Sequence, residues 1–190
     1  MSHTFFDDQT YSHIDFTQKG LPKGEYDNCT FENCNLEGVN LSNRHFSECT
    51  FTNCNLSNAP IEQTAFRDAT FNNCKLLGSR FDTCNQFIFS VSFLNCSLNL
   101  SSFYTCKMKK TIFKNCSLQE VDFVEADLTQ AVFDNCDLTR AIFDNTILEK
   151  ADISTAFNYV INPANNRIKK AKFATTGLSG LLTNYDIVIV

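Results

Sequence analysis

The sequence predicts an all-β solenoid: a square coil of very short extended segments, repeated along most of the chain. Three observations carry that prediction. A six-residue phrase, Phe-x-Asn-Cys-x-Leu, occurs six times, beginning at Phe31, Phe51, Phe71, Phe93, Phe113 and Phe133. Its spacing is 20 residues, with a single step of 22 between Phe71 and Phe93. Inside each 20, a large apolar residue recurs every five positions, a period that fits neither a helix nor a plain strand. Self-similarity at a fixed period is the mark of a stacked-repeat architecture.

Each group of five supplies one segment. If the large apolar residue is called i, position i−2 is filled by a small one, mostly Cys, Ala, Ser, Thr or Val. All ten cysteines (Cys29, Cys34, Cys49, Cys54, Cys74, Cys84, Cys96, Cys106, Cys116 and Cys136) fall at this position. Two inward residues separated by one outward residue describe a short extended segment, and the remaining two turn the corner. Four segments close a square of 20 residues, and successive coils stack at the strand spacing of ~4.8 Å. Two inward positions in five match the 43% hydrophobic content.

The stacked interior follows from the phase. One side of the square piles up Phe31, Phe51, Phe71, Phe93, Phe113 and Phe133. The next piles up leucines from Leu36 to Leu138, with Cys34, Cys54, Cys74, Cys96, Cys116 and Cys136 beside them. The Asn of each phrase (Asn33, Asn53, Asn73, Asn95, Asn115, Asn135) sits at a corner, where stacked amides can form a hydrogen-bonded ladder.

Stretches such as ADLTQ (126–130), CDLTR (136–140) and ADIST (151–155) match the consensus A(D/N)LXX. On these and on 24 pentads in phase over roughly 26–158, the chain resembles the pentapeptide-repeat family. The resemblance implies a right-handed quadrilateral parallel β-helix ending in a short C-terminal helix and strand.

Read as one domain over 1–190, the chain divides into three parts. Residues 1–25 are irregular, although Phe16 and Tyr26 keep phase, and they are expected to form a cap or distorted first coil. Arg44 at an i−2 position predicts a locally deformed corner. The register breaks over 82–92 (DTCNQFIFSVS), where Gln86 replaces a large apolar residue and Phe87, Ile88 and Phe89 compete for the interior. A bulge on a rigid scaffold is either tolerated or a contact knob. Over 159–190 the repeat ends, with one returning pentad at Ala171-Lys172-Phe173. A helix over 174–182 with Thr175 or Thr176 as N-cap is expected there, followed by a strand in YDIVIV. Exposed apolar residues in that tail, Leu178, Leu181, Leu182, Tyr185, Ile187 and Ile189, make a candidate homodimer interface. The resemblance points the same way, since such segments join family members end to end.

No chemistry of catalysis is legible. The cysteines point into a narrow stack and read as buried small hydrophobes. His3, His13 and His45 lack zinc-type spacing, and neither a phosphate loop nor a nucleophile elbow occurs. The expectation is a non-enzyme without catalytic residues, metal or cofactor. The N-terminus has neither a basic n-region nor an apolar core, and no run reaches the roughly 18–20 apolar residues of a membrane span. A cytoplasmic location is expected, with no membrane partner. The net charge of −5 argues against direct nucleic-acid binding.

What remains is the outer surface. Eight acids lie in 121–152: Asp122, Glu125, Asp127, Asp134, Asp137, Asp144, Glu149 and Asp152. They form the candidate partner-contact face. Ile14-Asp15-Phe16, followed ten residues later by EYDNCTFENCNL, resembles the start of the quinolone-resistance (Qnr) members. That resemblance implies a DNA-mimicking rod that engages DNA gyrase or topoisomerase IV and protects it from fluoroquinolones. The loops projecting from plasmid-type members are replaced here by the two-residue insertion alone. The competing expectation is a structural or interaction scaffold with an unrelated protein partner.

Overall fold

Nearly every pentad closes its corner by putting one residue into the left-handed backbone region, and asparagine accepts that region more readily than most side chains. Asn33, Asn53, Asn73, Asn95, Asn115 and Asn135 all have φ between 52° and 55°. The computed structural model describes residues 4–185 and 187–188. They form a right-handed quadrilateral parallel β-helix of about eight turns with one short C-terminal helix.

Two sides carry continuous strand ladders. A four-stranded sheet stacks Phe5–Asp7, Glu25–Asp27, His45–Ser47 and Ala65–Arg67, each paired 20 residues on. A seven-stranded sheet climbs from Thr10–Ser12 to Val132–Asp134, with Phe31 opposite Phe51 and Phe113 opposite Phe133. The other sides are held by single parallel bridges, such as Ser102 to Asp122 and Ser117 to Asp137. The insertion shifts the pairing to 22 residues at one step, where Phe71 meets Phe93.

We number the sides by their inward residues. The first runs through Phe31 to Phe133 and the second through Leu36 to Leu138. The third runs through Leu41, Ile61, Phe81, Phe103 and Phe123. The fourth runs through Phe6, Tyr26, Phe46 and Phe66, then Met108, Leu128 and Leu148. All these residues from Tyr26 onward are buried, with the six phrase cysteines beside the second side. On the first side the rings stack face to face, Phe31 on Phe51 at 4.7 Å and Phe113 on Phe133 at 4.9 Å. They meet a neighbouring aromatic column edge-on, the geometry that ring quadrupoles favour. Below the insertion that neighbour is on the fourth side, as in Phe46 against Phe51 at 72°. Above it the neighbour is on the third, as in Phe103 against Phe113 at 80°. The break in register therefore lies where the second aromatic column changes side.

Each cysteine of the stack lies within hydrogen-bond range of two carbonyls. Cys54 Sγ, for example, is 3.4 Å from the Phe31 oxygen and 3.3 Å from the Thr52 oxygen. Burial pushes the Cys49 and Cys106 thiols up to about 12. They are therefore packed protonated, small and unreactive. The corner amides form the ladder expected of them, Asn53 donating to Asn33 at 3.1 Å and Asn135 to Asn115 at 2.9 Å. At the insertion the ladder jumps a rail, because Asn95 donates to Asn72 instead of Asn73.

Four sequence expectations are corrected or refined by the coordinates. The 1–25 segment holds regular register from Phe5 onward, with Phe6 opposite Tyr26 and Tyr11 opposite Phe31, and departs from it only near 17–24. At its corner Arg44 turns inward. Its guanidinium is buried and donates to the carbonyls of Leu21, Pro22 and Ser42, stitching that irregular stretch to the coil above. At the C-terminus neither Thr175 nor Thr176 caps a helix. Thr175–Gly177 is a 3₁₀ turn entered from Ala174, and the α-helix spans only Ser179–Leu182, without a side-chain cap. These short pieces pack closely: a Cβ on Gly177 or Gly180 would collide with Tyr159. Tyr185 ends another 3₁₀ turn, Thr183–Tyr185, so the strand expected from it does not begin there. Residues 187 and 188 carry no strand, and the rest of that tail lies outside the described residues.

Candidate functional site: the outer sides of the coil

Because side chains fill the interior, the surface groups decide what the rod can touch. The eight acids of 121–152 fall on all four sides. Asp134 and Asp152 flank the first-side column, pairing in register with Lys114 and Lys172 respectively. Asp137 is on the second side, above Ser117. Asp122 stacks above Ser102 on the third, with Asp144 one coil further up and Glu125 at the corner. Asp127 is on the fourth, between Lys107 and Ile147, and Glu149 follows. The reason is the period itself: equivalent positions five residues apart occupy adjacent sides, and a side is revisited only after about 20 residues, as with Asp134 and Asp152.

Half of these acids meet a cation one coil away. Lys109 reaches Asp127 at 3.3 Å, Lys114 reaches Asp134 at 3.3 Å, Arg167 reaches Glu149 at 2.7 Å and Lys172 reaches Asp152 at 2.9 Å. Asp137 accepts from Gln119 at 2.7 Å and Asn158 at 2.9 Å. The Ser154 hydroxyl and Lys172 hold the Asp152 carboxyl below its ordinary range. Exposed pairs of this kind add little stability singly, and among the described residues Asp122, Glu125, Asp137 and Asp144 make no ion pair.

Sequence windows miss a different segregation, on the fourth side. Its first four levels expose or half-expose Asp7, Asp8, Glu25, Asp27, Glu48 and Asp68 against Arg67, a net of −5. Its last four carry Lys107, Lys109, Lys110, Lys150, Arg167, Lys169 and Lys170 against Asp127 and Glu149, a net of +5. Reading at a stride of 20 instead of along the chain would have found it. Between the halves stands the insertion. Phe89 takes the interior place, 6.2 Å from Phe81, and Gln86 donates to the Phe81 and Cys84 carbonyls. Phe87 and Ile88 are pushed outward, 69% and 59% exposed.

The six C-terminal residues separate as well. Leu178, Tyr185 and Ile187 are exposed, whereas Leu182 is half-buried and Leu181 packs against the core. Ile189 lies outside the described residues. A groove of about 700 Å³ runs between this segment and the last coil, past Phe157, Asn158 and Thr176. Among the described residues no cluster of His, Cys, Asp or Glu has metal-binding geometry. No helix among them is long and apolar enough to cross a membrane.

A family model described as "pentapeptide repeat region" matches residues 24–86 and 87–156. No curated protein matches the sequence. Among solved structures, full-length QnrB1, a plasmid-mediated fluoroquinolone resistance protein, is 14% identical with a TM-score of 0.53, over 97% of this chain and 100% of its own. HetL, a pentapeptide-repeat protein involved in heterocyst differentiation regulation in the cyanobacterium Nostoc sp., is also 14% identical. Its TM-score is 0.37, over 90% of this chain and 87% of its own. At these identities the likeness is one of fold.

Proposed function

The chain belongs to the pentapeptide-repeat family, and on that premise we propose that it is a non-enzymatic scaffold presenting the sides of a rigid rod to a protein partner. One observation carries the reading: the inward positions are occupied by stacked rings, leucines and thiols, so recognition is left to outward groups. Fold alone does not fix the partner.

A second, finer reading is a Qnr-like rod that enters the DNA-binding groove of a type II topoisomerase. It is supported by likeness to QnrB1 along the whole of both chains and by acids at every level from Asp122 to Asp152. A groove that reaches the first three sides would meet Asp122, Asp134, Asp137, Asp144 and Asp152. Supercoiling by purified DNA gyrase, with and without a fluoroquinolone, tests it. Inhibition at high protein, or rescue from the drug at lower protein, supports the topoisomerase reading. Loss of that effect on reversing Asp122, Asp127 and Asp137 to Lys, at unchanged melting temperature, assigns the contact to the acids. No effect from folded protein at any ratio removes this reading and leaves the scaffold.

The broader reading is tested by capture on immobilised protein. A partner retained by the wild type and lost from outward-charge variants of unchanged stability supports it. Retention by every such variant counts against recognition through the sides.

A further inference from the structure

The fourth side is complementary to itself. Its levels are Phe6, Tyr26, Phe46, Phe66, the insertion around Phe89, then Met108, Leu128, Leu148 and Ile168. Nine levels at ~4.8 Å spacing make a strip about 40 Å long. The insertion is the fifth level, so four levels whose outward groups net −5, the buried Arg44 aside, lie on one side of it and four of net +5 on the other. We infer that this side is the interface of an antiparallel homodimer. Phe87 and Ile88 lie at the two-fold axis, and the acidic half of each copy faces the basic half of the other.

Three observations converge on that occupant. First, the charges are available. Among the described residues Asp7, Asp8, Asp27, Glu48 and Asp68 make no ion pair within the chain, and neither do Lys107, Lys110, Lys169 and Lys170. Of the eight acids of 121–152, by contrast, four pair with a cation. Second, a two-fold axis through the fifth level exchanges the first level with the ninth and the fourth with the sixth. Asp7 and Asp8 then stand opposite Lys169 and Lys170, and Asp68 opposite Lys110. A two-fold interface requires one patch to fit itself, and opposite charge in the two halves of one strip provides that fit only when the copies run antiparallel. Third, the insertion exposes two large apolar side chains at the midpoint, where a two-fold axis brings them against their own copies. Ile88 is held there at φ 56°, a region β-branched residues rarely enter. Buried apolar anchors ringed by polar contacts are the usual energetic centre of an interface.

The test is the mass of the full chain in solution, by sedimentation velocity over a range of concentration and salt. The expected result is a dimer at low salt whose dissociation constant rises with ionic strength. Phe87→Asp should raise that constant by ~10-fold or more, as for central anchors. Reversing Asp7, Asp8 and Asp68 to Lys should give monomers, as should reversing Lys110, Lys169 and Lys170 to Glu in a second variant. Mixing the two variants should restore a heterodimer. A wild type that stays monomeric at all concentrations overturns the proposal. So does a dimer that Phe87→Asp leaves intact, or one lost instead on Leu178→Asp with Tyr185→Asp, which would place the interface at the C-terminus. Should a reversed variant fail to fold, the salt response of the wild type decides, because an apolar C-terminal interface does not weaken with salt. The readout is mass, so it fails or succeeds independently of any topoisomerase result.

Discussion

The Nε of Arg44 donates to the Pro22 carbonyl oxygen at 3.0 Å, across 22 residues of sequence. The same guanidinium reaches the carbonyls of Leu21 and Ser42, so one buried cation closes the irregular stretch of the first coil. Burial lowers its pKa from the ordinary value, yet a guanidinium stays charged. Arg44→Ala leaves those carbonyls without a donor and should cost about 1.5–3 kcal/mol. Arg44→Lys should not restore it, since a single ammonium lacks the planar fork. Hydrogen exchange should quicken across 17–26 and leave 90–150 unchanged; uniform quickening would show that Arg44 supports the whole rod.

Phe113 stacks on Phe93 at 5.3 Å and on Phe133 at 4.9 Å, fully buried. Phe113→Ala should cost ~3–5 kcal/mol by loss of burial and a cavity that the stack cannot close. Chemical denaturation measures it. A change below about 1 kcal/mol would mean that the coils collapse around the gap.

Asn53 has φ 55°, donates to Asn33 and accepts from Asn73 at 2.6 Å. Two substitutions separate the backbone from the ladder. Asn53→Gly loses the amide contacts and adds glycine's chain entropy, about 0.5–1 kcal/mol, whereas Asn53→Ala loses the same contacts and bears a left-handed cost of about 1–2 kcal/mol. The alanine variant should therefore melt lower than the glycine variant. A glycine variant that melts lower than the alanine variant would show that the left-handed corner carries no such cost.

The cysteines predict a pH response. Burial raises Cys49 from 9.0 to about 12, so folding favours the protonated thiol. That contribution is complete below pH 9 and is lost as pH rises through about 12. Denaturation midpoints should hold steady from neutrality to pH 9 and fall above it. Native protein should resist thiol reagents at pH 8, while unfolded protein exposes all ten cysteines. Rapid labelling of the native chain would contradict the packed thiol stack.

Much of this molecule was legible as a pattern. The phase of Phe31 to Phe133, the ten cysteines at one position of five and the asparagine corners define the coil. Each depends only on a residue's place within 20, and stacking gives identical places identical surroundings. Where the phase is interrupted, contacts far along the chain decide. Nothing local says that Arg44 would turn inward to the Pro22 carbonyl, or that Phe89 rather than Phe87 would take the interior of the fifth level. Gly177 and Gly180 seat the C-terminal turns against Tyr159, where a Cβ would collide. The surface divides in the same way. Acids adjacent in sequence, from Asp122 to Asp152, are carried round the square to different sides, while Asp8, Glu48 and Asp68, far apart in sequence, line one corner. Sequence by itself determined the coil, because the inward pattern repeats with the turn. Only the tertiary structure decided which charges share a side, because winding converts a separation of 20 residues into one strand spacing.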